Sequence, residues 1–424
     1  MRKTPLALGV ASLLSLPAFV VNAQVAVEPQ NGYAMGEKVP LPEPYATKSA
    51  ERRTKVIGWP DDVTPTAPDG FTVKAFASDL EHPRWLHILP NGDVLVAESN
   101  DAKKGSADRI TLLRDTNNDG VAEERHVFLE KGLNQPFGMA LHKNHFYVAN
   151  TDNITRYEYK EGADAIKGKG EVIHSLPSGG YNHHWTRNIE VNDTQDKLLL
   201  TIGSSSNVGE HGMEKEERRA KIFTVDLDGG NEQVYAWGLR NANGLDYNPQ
   251  TGMLWAAVNE RDKLGDNLVP DYVTSVQEGG FYGWPYKYFG EHIDPRWKDK
   301  MPDDLPEKTI VPDIALGNHT ATLDLEFYDG ESFPARYHNG LFAAQHGSWN
   351  RAKYNGYRIV FMPFEDGEPT GEIEEFLGGF IKDMATDEAY GRPTAVRVTD
   401  NGKLLVADDD GNTIWSVQAD QKSN

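Results

Sequence analysis

The chain contains no cysteine, which excludes disulfides, thiolate metal sites and a cysteine nucleophile and leaves stability to a packed core. It lacks any long apolar run beyond Leu6–Val21, so no later segment is expected to span a membrane. That single run follows Arg2 and Lys3 and ends at Val21-Asn22-Ala23, the charged, apolar and small-residue order of a secretory signal. Residues 1–23 are therefore expected to be removed on export, leaving a periplasmic or secreted protein. Positive charge is also scarce. The formal net charge is −21, and loss of Arg2 and Lys3 takes it to −23, a surface that repels phosphate backbones and excludes nucleic acid as a natural partner. The same acidity suits solubility and a basic redox partner equally. Extended helical periodicity is missing too, which argues against a TIM barrel or a Rossmann fold. Residues 24–68 are rich in Pro, Glu and Thr without periodicity and read as an extended lead-in segment, with one repetitive domain over 69–424.

What the sequence does have is a sixfold repeat. A short apolar run opened by turn residues recurs at Gly92-Asp93-Val94-Leu95-Val96-Ala97, His145-Phe146-Tyr147-Val148-Ala149 and Lys197-Leu198-Leu199-Leu200-Thr201. It returns at Gly252-Met253-Leu254-Trp255-Ala256, Gly340-Leu341-Phe342-Ala343-Ala344 and Gly402-Lys403-Leu404-Leu405-Val406-Ala407. Each reads as a buried strand, and the spacing of about 50 residues suits one four-stranded blade. The expected architecture is all-β, a six-bladed β-propeller, with inner strands starting near Arg84, Pro136, His184, Asn241, Ala321 and Pro393. Two longer gaps, before Phe342 and before Leu404, are expected to carry loops over one face. The strand-opening residues would converge at one rim: Arg84, Gln135, His184, Arg240 with Asn241, His319 and Arg392. Packing alone favours small apolar residues there, so this set reads as a cationic ring suited to an anionic, carboxylated ligand.

Longer motifs sit at the blade edges. They are His184-Trp185-Thr186-Arg187-Asn188 with Gly203-Ser204-Ser205-Ser206-Asn207, and Gly238-Leu239-Arg240-Asn241. Further along come Asn259-Glu260-Arg261-Asp262, Gly279-Gly280-Phe281-Tyr282-Gly283-Trp284-Pro285, His346-Gly347-Ser348-Trp349-Asn350-Arg351 and Gly391-Arg392-Pro393. In this order, over about Gly70 to Val417, the chain resembles the soluble quinoprotein dehydrogenases of the glucose/sorbosone dehydrogenase group. That resemblance implies pyrroloquinoline quinone (PQQ) seated on top of the propeller with a calcium ion, and a histidine base that takes the hydroxyl proton while hydride passes to the quinone. It implies His184 as the base, with His183 as the alternative, and Arg240 stabilising charge that grows on the quinone oxygen. Arg84 and Arg392 match arginines that pair with cofactor carboxylates. Asn241, Gln135, His346, Trp349 and Asn350 complete the cofactor and sugar surroundings. Arg261 and Asp262 stand where that group's calcium carbonyls lie, although its glucose-oxidising branch has Gly and Pro there, and Asp262 could also offer its carboxylate. The implied partners are an aldose or related aldehyde and an electron acceptor such as a cytochrome or quinone.

A second calcium pattern runs through Asp115-Thr116-Asn117-Asn118-Asp119-Gly120-Val121-Ala122-Glu123-Glu124, which is equally an ordinary hairpin turn. Two competing readings stay open: a calcium-dependent propeller lactonase, which needs a metal held by acidic and amide side chains, and a non-catalytic propeller that binds carbohydrate or protein.

Overall fold

The six apolar runs become the strands Val94–Glu98, His145–Ala149, Lys197–Ile202, Leu254–Val258, Leu341–Gln345 and Leu404–Asp408. They are uniformly apolar because a sheet packs on each of their faces. In the computed structural model, which describes residue 39 and residues 41–100, 105–370 and 373–420, each run lies second in a four-stranded antiparallel sheet, and there are six such sheets. The expected signal segment, 1–23, lies outside the described residues.

The first strands of the sheets are Pro83–Ile88, Met139–His142, Arg187–Val191, Ala242–Tyr247, Thr322–Phe327 and Pro393–Val398. Each contacts the next around the molecule, and the last contacts the first. The second and third of them begin three residues later than the sequence suggests. Gln135 takes a left-handed φ of 48°, which keeps it out of the ladder. The backbone of residues 184–186 is instead satisfied by side chains, the Arg187 guanidinium donating to the carbonyls of both His184 (2.9 Å) and Thr186 (2.7 Å).

Five sheets are built from strands in chain order, two of them with a small hairpin inserted between the third and fourth strands. The sixth takes its outer strand, Phe71–Ala77, from far upstream and pairs it with Thr413–Ala419. The long gap between Pro270–Ser275 and Ile314–Asn318 carries the small hairpin Lys287–Tyr288/His292–Ile293, the hairpin Phe364–Glu365/Glu368–Pro369 interrupts the fifth sheet, and Ile381–Asp383/Glu388–Ala389 precedes Pro393. Clusters of buried Leu, Val, Ile and aromatic side chains fill the spaces between sheets. Burial of one such side chain contributes about 1.5–3 kcal/mol, so the stacked sheets need no covalent staple.

The lead-in segment has no sheet of its own. Lys55–Val56 pairs in parallel with Glu388–Ala389, Thr66 bridges Gly378, and Trp59 packs on Tyr390, Phe380 and Trp415 while its indole N–H donates to Asp408. Among the described residues helix is limited to two short 3-10 turns, and none is long and apolar enough to cross a membrane.

Candidate active site

The first strands run away from one rim and the second strands return to it, so the starts of the former and the ends of the latter share one surface. His184 lies there, three residues ahead of the third sheet's first strand, and is 8% exposed. Its Nδ1 lies 2.9 Å from the Ser204 carbonyl and 3.0 Å from Ser204 Oγ, which itself donates to the Ser206 carbonyl. Both oxygens can only accept from Nδ1, so Nδ1 carries the proton and Nε2 keeps its lone pair. Burial, then the charges of Arg240 and His183, push the His184 pKa well below the usual histidine value. The imidazole is a neutral base at physiological pH. Gly203 makes this packing possible: a Cβ there would run into Asn241 Oδ1 and sit 2.7 Å from His184 Cβ. His183 is exposed; its ring lies 4.5 Å from that of His184, and its Nδ1 faces the Tyr181 hydroxyl at 3.2 Å.

Arg240 is buried and pinned on every side. Nε donates to the Asn207 carbonyl (3.0 Å), Nη1 to the Glu260 carbonyl (2.7 Å), and Nη2 to Asn207 Oδ1 (3.0 Å). Its charge is fixed in place, and Asp262 lies 3.4 Å away. The Asp262 carboxylate also accepts from Asn350 and faces His319 Nδ1 at 3.5 Å. Burial alone would raise Asp262, but the His319 hydrogen bond and the Arg240 charge outweigh it and hold the group at about 2. The Asp262 carbonyl accepts from Asn207 Nδ2 (3.1 Å) and Arg296 Nη1 (2.9 Å). The side chain of Arg261 turns into the protein and is consumed by Glu260, Asp294 and two carbonyls.

Across the rim stands a second group. Arg84 donates to Asp409 and lies 5.5 Å over the Trp185 ring. His346 Nε2 is 3.0 Å and His82 Nε2 3.4 Å from the same carboxylate. Burial, followed by the Arg392 charge, takes His346 down to about 4. Asp409 lies well below the ordinary carboxylate value, because its interactions with His346, His82 and Arg84 outweigh its burial. Arg392 donates to the carbonyls of His346 (3.0 Å) and Gly347 (2.8 Å) and is 3.7 Å from Asp410. Gln135 sits at the edge, its amide 3.5 Å from Asn100.

The sequence reading of a cationic ring thus needs correction. Each arginine of the ring faces an aspartate: Arg84 with Asp409, Arg240 with Asp262, Arg392 with Asp410. Within these three pairs the charges offset each other, whereas the buried Arg187 and Arg219 behind His184 are satisfied by the carbonyls of His184 and Pro177. Asp409, Asp410, His82, Asn207 and Ser204 are the site members that strand-start reasoning passed over. For all but His82, which directly precedes the first strand Pro83–Ile88, their signal was the polar residues at and after the end of each second strand, such as Asp408-Asp409-Asp410. Two polar atoms in the ring are buried and unpartnered, the donor Arg84 Nε and the acceptor Asn241 Oδ1.

Residues 65–277 and 289–420 match the TrAA12-like family model. The chain belongs to the TrAA12-like family. A relative from Borreliella burgdorferi, itself described as an uncharacterized protein, is 28% identical over 372 residues, 84% of this chain and 92% of that protein. The fold is shared with the holo form of the pyranose dehydrogenase PQQ domain from Coprinopsis cinerea (TM-score 0.68, 18% identity, 84% of this chain and 97% of that one). It is shared equally with a calcium structure of a family AA12 enzyme from Trichoderma reesei (TM-score 0.71, 18% identity, 87% and 99%). All the rim residues described above fall inside the TrAA12-like spans, whereas residues 41–64 fall outside them.

The Asp115–Glu124 turn lies at the opposite end of the sheets. Lys403 Nζ reaches Asp115 at 3.1 Å and the Asn118 carbonyl at 2.7 Å, and Glu123 accepts from Thr116 and Asn117.

Proposed function

We propose that the six sheets are the blades of a six-bladed β-propeller, and that the protein is a PQQ- and calcium-dependent dehydrogenase of aldose sugars or related aldehydes. The observation that carries this reading is His184: a buried, neutral imidazole with its tautomer set by Ser204, next to a guanidinium that cannot move. Support for the cofactor comes from the ring chemistry and from relatives whose described ligand is the PQQ of the Coprinopsis cinerea domain. The unpartnered Arg84 Nε and Asn241 Oδ1 suit a bound group that offers both an acceptor and a donor.

In this reading Arg84, Gln135, Asn241, His346, Trp349, Asn350 and Arg392 hold the quinone. The main-chain oxygen of Arg261 and the carboxylate of Asp262 would hold calcium, since the Asp262 carbonyl already accepts two hydrogen bonds. When bound, the quinone supplies the hydride acceptor. The protein's own part is to place the substrate hydroxyl at His184 Nε2, take its proton there, and keep the Arg240 charge beside the oxygen that becomes negative. Residues 1–23 act as an export signal, 24–68 as a lead-in strap and 69–424 as the catalytic propeller. The partner for the electrons would be an acceptor such as a cytochrome or quinone.

The test is reconstitution. Dye reduction by aldoses that requires both PQQ and calcium supports the reading. Lactone hydrolysis with calcium alone supports the lactonase, and binding without turnover supports the scaffold.

A further inference from the structure

Residues 41–64, outside the family match, run along the rim that carries the site. Tyr45 N–H donates to the Leu264 carbonyl (2.7 Å) and Ala50 N–H to Asp266 (3.2 Å), just beyond Asp262. The strap then reaches the fifth sheet, where Arg52 N–H donates to the Trp349 carbonyl (2.8 Å). Two consecutive arginines at this point do different things. Arg52 is spent as an anchor: its side chain donates to Asp387, the Met384 carbonyl and the Ala352 carbonyl. Arg53 is exposed, and its guanidinium carbon lies over the Trp349 ring, 4.5 Å from the centroid. Among the described residues no carboxylate pairs with it, in a chain where 64 acids face 43 lysines and arginines and where each ring arginine has its own aspartate.

The geometry points to a subsite for the carboxylate of an acidic sugar, formed by Arg53 on the Trp349 platform. Stacking uses the face of the guanidinium and leaves its in-plane N–H edge free, the arrangement that receives a carboxylate through two parallel hydrogen bonds. Trp349 holds the fork still, and the strap's bond to the Trp349 carbonyl fixes both. The neighbouring Asn350 reaches Asp262 and His319, so the subsite lies one residue from the ring. This inference rests on the sugar-dehydrogenase reading and names the substrate class it favours: uronic acids, or oligosaccharides that end beside one.

The full chain, reconstituted with PQQ and calcium, is compared on glucuronate and galacturonate against glucose and galactose. The expected result is a higher kcat/KM for the uronates. R53Q should lower the uronate-to-neutral ratio about tenfold, mainly through KM, and R53K should restore part of it, since lysine keeps the charge but not the fork. No uronate preference in the wild-type protein overturns the inference, and so does an equal loss on both sugar classes in R53Q, which would make Arg53 a brace of the strap. Calorimetric titration with glucuronate reads the subsite without turnover. If no sugar is oxidised, the quinoprotein reading fails, while glucuronate binding that R53Q abolishes still supports the subsite and absent binding in the wild type removes it.

Discussion

Replacing His184 tests the mechanism most directly, and the structure sets the size of the effect. Alanine removes the only imidazole whose tautomer is fixed by Ser204 and whose Nε2 is left unprotonated beside Arg240. A positioned base contributes on the order of 10²–10⁴-fold in rate, or about 3–5 kcal/mol of barrier. The truncation also strips the Ser204 carbonyl of its donor, a cost of about 1–3 kcal/mol in stability, well short of unfolding a stacked-sheet core. His184→Asn separates the two effects, because its amide still donates to Ser204 while offering no base. Both variants should take up PQQ as the wild type does and lose nearly all dye reduction, whereas His183→Ala should lose much less. The pH profile follows from the same burial. The imidazolium is disfavoured in the folded protein, so the acid limb of kcat/KM should fall below 6.5, and full activity should persist through neutrality. A dead His183→Ala with an active His184→Ala would transfer the role to the neighbour. Two active variants would refute the quinoprotein mechanism.

Alanine at Arg84 or Arg392 should weaken PQQ uptake in fluorescence titrations while leaving the melting temperature within a few degrees; unchanged uptake in both would remove them from the cofactor site. Gly203→Ala forces a methyl against Asn241 and His184, so turnover should drop steeply and stability should fall by about 1–3 kcal/mol in denaturant titrations. Glu190 and Asp246 are half-buried on inner strands, and desolvation raises both to about 7, opposed by Arg397 for the former and by backbone N–H donors for the latter. A carboxyl with a raised folded pKa keeps its full stability contribution below its unfolded value near 4.5 and loses it as pH climbs toward 7. Glu190→Gln should therefore raise the unfolding free energy by about 1–3 kcal/mol at pH 8 and leave it unchanged at pH 4.5; an equal effect at both would contradict the charge argument.

The apolar strands were legible because they are covered on both faces, so an unbroken run such as Val94-Leu95-Val96-Ala97 carries its position in its composition. The basic members of the rim were legible through their recurrence at strand starts. Their counterions were not, since Asp409 answers Arg84 across 325 residues and no local pattern links them. Nor could periodicity expose Ser204, whose part in the site is a backbone carbonyl available to any residue. The lead-in strap has no period at all; its course is set by scattered hydrogen bonds to loops such as Leu264 and Trp349.

One pairing fixes how the whole assembly comes into being. Phe71–Ala77 finds its partner only in Thr413–Ala419, so the sixth sheet joins two stretches of chain more than 330 residues apart. Five sheets can form as the polypeptide lengthens, but the contacts between the last inner strand and the first wait for this clasp. His82, Arg84, Asp409 and Asp410 stand on either side of that same seam. The half of the rim built from them exists only after the clasp shuts, so a chain cut before Thr413 would lose that half of the rim together with its closure, whatever the state of the other five sheets.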